Sequence, residues 1–346
     1  MISMTVARQT TFVAAFTMAL GCGYDSTTPY SPPTPDPTIQ EGLWTSSGSN
    51  PAVLRLAPSQ LLTTGDRAPA TAISTSSADL FDLNGVAFDD DGSMWVTSQN
   101  DSTLVAFAPA RLTRSGSMEA TTVIRSVAGS LSAPTSLAFD DQQALWVANS
   151  ANGTIVKFDR GQLALGGALV PKVIISELGH PNALAFDAAG SLWASDGQKN
   201  KVFSYSRAQL ATSGFLDPQV VISSSATSLA SPTGIAFDAG GNLWVGNTGN
   251  QTVVSFTPAQ LAATGTPVPH VVLSSNSGSL SIPTGLAFDS DGSLWVIGGA
   301  GALEKFPNAS LGATGAPAAS VRIGLPGYVI FWSVAFWPKP IGLPLN

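Results

Sequence analysis

One fourteen-residue pattern governs this chain. PTGLAFDSDGSLWV at residues 283–296 recurs as PTGIAFDAGGNLWV (232–245), PNALAFDAAGSLWA (181–194), PTSLAFDDQQALWV (134–147) and LNGVAFDDDGSMWV (83–96). The tryptophans Trp44, Trp95, Trp146, Trp193, Trp244 and Trp295 stand 51, 51, 47, 51 and 51 residues apart, a spacing typical of radial or solenoidal repeats. A periodic chain is one architecture whose core lies between its repeats, so residues 41–346 are predicted to form one domain.

The ends of the periodic region choose between a line and a ring. Residues 41–74 begin in the middle of a repeat: they carry the LW strand at Leu43 and Trp44 and the strands after it, but no AFD strand. That strand stands at the other end, where Ser333-Val334-Ala335-Phe336 is followed by WPKPIGLPLN instead of an LW strand. A solenoid caps its two ends separately, whereas a ring can build one blade from both. Five intact copies and the composite predict an all-β, six-bladed β-propeller of four-stranded blades, closed by a composite blade from both termini.

Within a blade, strand one is LAF, strand two LWV, strand three a run such as 252–256, and strand four a β-branched run such as Val271 to Leu273. The DxxG segment between strands one and two is predicted to be a turn, in which Asp accepts local backbone bonds and Gly takes positive φ. Its neutral variants, such as DAAG and DAGG, disfavour a calcium loop. PAQLAATG and its kin are predicted to form one helical turn ending in Gly. Ala87, Ala138, Ala185, Ala236, Ala287 and Ala335 hold the middle of strand one, between large neighbours such as Leu286 and Phe288. Alternation then gives each blade a small face and a large face, and the large face of one fits the small face of the next.

Composition bounds the partners. Charged residues are 11% of the chain, the net charge is −7 and no basic run occurs, which disfavours nucleic acid. At the N-terminus Arg8 precedes an apolar run, Thr11 to Leu20, which ends in Ala19-Leu20-Gly21-Cys22 and is too short to span a bilayer. Residues 1–22 are therefore predicted to be a signal peptide. The single cysteine, Cys22, directly after small residues resembles the lipobox of bacterial lipoproteins, which implies lipidation there. Residues 23–40, with five prolines, are predicted to be an extended tether. The expectation is an exported protein of the cell envelope, held on a membrane through its lipid anchor.

The PxGLAFDxxGxLWV motif resembles the NHL repeat and the gluconolactonase and streptogramin-lyase propellers over residues 41–346. That resemblance implies a site at one mouth of the central channel, lined by the residues at the start of strand one: Asn84, Thr135, Asn182, Thr233, Thr284 and, in the composite blade, Trp332. Asp82 and His180 stand just behind them. Gluconolactonase-type propellers hold a divalent metal with carboxylates at these positions. Here Asn84 and Asn182 match, but threonines replace the acids, so no metal site and no cofactor is predicted. Asn149, Asp196 and Asn247 lie in the polar loops after strand two and extend the candidate binding face. No GxSxG, HExxH, Walker or CxxC pattern occurs. Two readings follow. The first is a non-catalytic, membrane-tethered module that binds a protein or a glycan through the polar face. The second is a lactonase or lyase with Asp82, Asn84, His180 and Asn182 as its ligands or acid/base groups, requiring a divalent cation in its lactonase form.

Overall fold

The computed structural model describes residues 41–48, 50–74, 82–224, 228–275, 280–298, 301–328, 331–340 and 342–343. The predicted leader, Cys22 and the tether lie outside the described residues.

Six antiparallel blades form from the six copies. In the Trp244 blade the strands are Pro232–Phe237, Leu243–Asn247, Thr252–Phe256 and Val271–Ser274. The blade carrying Trp44 draws its innermost strand, Phe331–Trp337, from the far end of the chain and pairs it with Gly42–Ser47. Its register sets Trp44 opposite Ala335, the same cross-strand pair as Trp244 opposite Ala236 in an intact blade.

The core sits at the seams between blades. Trp95, Ala87 and Leu104 of one blade pack on Leu137, Phe139 and Leu145 of the next, so the small face receives the large one. Every seam repeats one edge-to-face ring pair: Trp95 on Phe139, Trp146 on Phe186, Trp193 on Phe237, Trp244 on Phe288 and Trp295 on Phe336. Trp44 on Phe88 supplies the sixth, so the pairs run around the whole ring. The aspartate after strand one ties its turn to that core. In the Trp244 blade Asp238 accepts the Asn242 backbone N–H through Oδ1 (2.9 Å) and the indole N–H of Trp244 through Oδ2 (2.9 Å). The indoles of Trp95, Trp146, Trp193 and Trp295 donate in the same way to Asp89, Asp140, Asp187 and Asp289. The DxxG segments are thus the predicted turns.

The segment predicted as a helical turn ending in Gly does more than turn. After the short helix, the chain lays the Gly against the outer strand of the preceding blade, as a parallel bridge. Gly65, Gly116, Gly167 and Gly214 pair in this way as two-residue strands, and Gly265 and Gly315 as single bridges. In five blades the preceding hydroxyl, from Thr64, Ser115, Ser213, Thr264 or Thr314, accepts a backbone N–H from the strand being covered. An exposed strand edge is a template for aggregation, and each blade here blunts its neighbour's edge.

Candidate functional site

The site begins with a backbone irregularity. Strand one slips register near its start in five blades, between Leu83 and Val86, Pro134 and Ser136, Pro181 and Leu184, Pro232 and Ile235 and, in the composite blade, Phe331 and Val334. Such a bulge removes local ladder pairing and re-aims side chains. The freed amides are met by hydroxyls: Thr97 Oγ1 accepts the N–H of Gly85 (2.7 Å) and Ser195 Oγ that of Ala183 (3.1 Å). At Gly234 the next blade comes so close that a β-carbon would stand 2.5 Å from the Thr284 carbonyl oxygen.

The bulged residues meet in a central cavity of about 330 Å³. It brings together Asn84, Thr135, His180, Asn182, Thr233, Thr284 and Trp332, seven of the residues that the sequence nominates. Three of these side chains fasten blade to blade. Thr135 Oγ1 donates to the Pro181 carbonyl (3.2 Å), Asn182 Nδ2 to that of Pro232 (3.1 Å) and Thr233 Oγ1 to that of Pro283 (2.7 Å). Asn84 Nδ2 donates to Gln99 Oε1 at 2.6 Å. Gln99 also lines the cavity, at the head of the loop after strand two.

The hydrogen bonds of Asn182 assign the tautomer of a neutral His180 ring. Asn182 spends its amide N–H on a carbonyl, so its Oδ1, 2.9 Å from His180 Nδ1, is an acceptor. Nδ1 of the neutral ring therefore carries the proton, and Nε2 keeps its lone pair.

Four nominated residues do not line this cavity. Asp82 borders Gly48: a β-carbon there would meet Asp82 Oδ1 at 2.6 Å and the indole nitrogen of Trp332 at 3.3 Å. Burial raises the Asp82 carboxyl above its ordinary value. Asn149 and Asn247 are fully buried, and their amides hold the loop that leads into strand one. Nδ2 of each donates to the carbonyl of Ser130 or Ser228 and to the hydroxyl of Thr154 or Thr252, while Oδ1 accepts the N–H of Ser132 or Ala230. Neither amide is presented to a ligand. Asp196, also fully buried, accepts the N–H groups of Gln198 and Lys199 through Oδ1.

The residues just before strand one carry backbone strain. Asp82, Ala133, Ser231 and Ile282 all have φ between 47 and 56°. In three of them the carbonyl is used by the loop after strand two, which donates from Gln99, Ser150 and Thr248. Ile282 is branched at Cβ, where this conformation is most costly, and is 57% exposed. Ile282→Gly is therefore expected to stabilise the fold by about 1 kcal/mol, as measured by denaturant unfolding.

The resemblance to gluconolactonases implies a divalent metal, and the mouth does not fit one. Thr135, Asn182 and Thr233 already donate to carbonyls of the next blade, and the nominated carboxylates, Asp82 and Asp196, do not line the cavity. Hard cations need carboxylate oxygens. Among the described residues no group of three or more His, Cys, Asp or Glu side chains gathers in metal-binding geometry.

The opposite end of the cavity was not foreseen. Lys339, Pro340 and Leu343, from the stretch after the composite strand, line it together with Asp90. Lys339 and Leu343 also line a second cavity, beneath the turns of Asp140, Asp187 and Asp238, so this stretch is the wall between the two.

Comparison with known proteins agrees with this architecture. The family model described as "SMP-30/Gluconolactonase/LRE-like region" matches residues 43–209, and the NHL repeat model matches residues 229–256. The chain is a six-bladed β-propeller of the gluconolactonase-like and NHL type. Among solved structures, a chain of a nidogen/laminin complex is similar at 15% identity and a TM-score of 0.55, covering 86% of this chain and 98% of that one. A functionally unknown protein from Desulfotomaculum acetoxidans DSM 771 is similar at 14% identity and a TM-score of 0.54, covering 78% and 75%. Virginiamycin B lyase from Staphylococcus aureus is similar at 13% identity and a TM-score of 0.48, covering 66% and 67%. For the first two, at these identities, the likeness is one of fold. No curated protein sequence matches the chain.

Proposed function

We propose that this protein is an exported, membrane-tethered recognition propeller that takes the end of an uncharged glycan into the mouth of its central channel. The observation that carries this reading is the make-up of that mouth: neutral amides, hydroxyls and an imidazole stand around Trp332, 37% exposed, at one end of a cavity of about 330 Å³. A sugar offers hydroxyls to the first and an apolar ring face to the second, and the cavity is of the size that small ligands occupy. The lipobox-like leader supports the tether.

The test is binding of defined neutral oligosaccharides to the purified protein, followed by tryptophan fluorescence and calorimetry. Trp332→Ala is expected to weaken binding about tenfold or more, since a stacked aromatic anchor dominates such a site. Affinity should barely change with salt, because no charge pair forms. Binding that survives Trp332→Ala, or collapses with added salt, sinks this reading. One observation favours the enzymatic alternative: the His180–Asn182 bond leaves Nε2 as a base at the cavity wall. Turnover of a lactone or a cyclic ester that is lost in His180→Ala would replace the binding reading with that one.

A further inference from the structure

The end of the channel away from the mouth carries an amine that the glycan reading does not use. Lys339 lines the cavity among apolar walls that include Phe88, Phe288, Phe336 and Trp337. Among the described residues its ammonium makes no hydrogen bond and no ion pair, and the charge that attracts it is that of Asp90, which lines the same cavity. Burial pushes the Lys339 amine down to about 8. An ammonium without a partner in apolar surroundings is costly, and the neutral amine it gives way to is a nucleophile.

The chemistry of the floor selects among partners for that amine. A carboxylate approaching Lys339 would be repelled by Asp90. A neutral carbonyl compound meets no such repulsion, and the iminium it forms is a cation that Asp90 attracts as it attracts the ammonium. Apolar walls suit an apolar carbon chain behind the carbonyl group. We infer that Lys339 is a covalent site for an apolar aldehyde or ketone, which it holds as an imine at the channel floor. The neutral Nζ adds to the carbonyl carbon, the carbonyl oxygen takes up a proton, and the carbinolamine loses water to leave the C=N bond. No oxidant or reductant enters the step.

Trapping tests this directly. The full chain is treated with decanal and sodium cyanoborohydride, which fixes any imine as a secondary amine, and the adducts are mapped by peptide mass spectrometry. The expected result is an adduct at Lys339 that forms about tenfold or more faster than at the exposed Lys172 and Lys199, because burial lowers the Lys339 amine. Lys339→Arg should abolish that adduct. Trp332→Ala, which tests the mouth, should leave it in place, so failure of the glycan reading and failure of this one are separable. Labelling spread evenly over the lysines, or absent from Lys339, overturns the inference.

Discussion

Trp146→Ala is expected to lower the unfolding free energy by about 3–5 kcal/mol, the usual cost of deleting a large aromatic from a core. Trp146 is fully buried, meets Phe186 of the next blade edge-to-face at 6.4 Å, and donates its indole N–H to Asp140 at 3.0 Å. Its ring also lies under the ammonium of Lys157. The seam has no second layer to fill the hole, because the facing position in its own blade is Ala138. A comparison of phenylalanine substitutions separates the hydrogen bond from the packing. Trp146→Phe keeps an aromatic ring but strips one donor from Asp140, at a cost of about 1–2 kcal/mol. Trp44→Phe should cost close to nothing in hydrogen bonding, because the buried Trp44 Nε1 has no partner among the described residues. The composite blade carries Trp337 where the other blades carry the accepting aspartate, and Trp337 packs on Phe88 instead. Denaturant unfolding of the two Phe variants decides the matter. Equal losses would mean that the aspartate bond contributes nothing.

Most of the scaffold is legible in the chain because each structural element is repeated. Six alanines in strand one and six tryptophans in strand two leave one way to pack a seam, and the broken copy at each end leaves one way to close the set. What escaped was whatever depends on a partner in another repeat. The Thr/Ser-Gly dipeptide looks like a helix stop, and its true partner is a strand some 40 residues away in sequence, as with Ser115 and Ala72. Asn149 and Asn247 look like loop residues free to bind. Each is instead followed five residues later by a threonine, Thr154 and Thr252, that accepts its amide. That recurring Asn-Thr spacing was the available signal. The mouth was legible where the repeat varies, at Asn84, His180, Asn182 and Trp332. The floor was not, because Lys339 lies in a stretch, after the composite strand, that matches no repeat.

Glu304 departs from its repeat in a way that fixes a pH dependence. It sits in Ala302–Phe306, opposite Val296, where the corresponding residues of other blades are Val105, Val156, Phe203, Val254 and Leu54. It is fully buried and neither carboxyl oxygen accepts a hydrogen bond among the described residues. Burial raises its carboxyl to about 7, and Arg322, 3.4 Å away and 45% exposed, offsets only part of that. Near pH 4 the carboxyl is protonated in both folded and unfolded chains, so Glu304 adds no pH dependence. Between about 4.5 and 7 the folded protein holds a proton that the unfolded chain has released, so stability falls as pH rises. Above 7 the fold must carry a buried carboxylate, and the accumulated loss is about 3 kcal/mol. Asp82 and Asp89, both raised by burial, act with the same sign from a lower starting value. Glu304→Gln isolates the contribution of Glu304: the variant is expected to be more stable than the parent at pH 8, by up to about 3 kcal/mol, and by no more than about 1 kcal/mol at pH 5. Urea unfolding of both proteins at the two pH values gives the four numbers required. A difference between the proteins that stays constant from pH 5 to pH 8 would show that Glu304 does not titrate on unfolding.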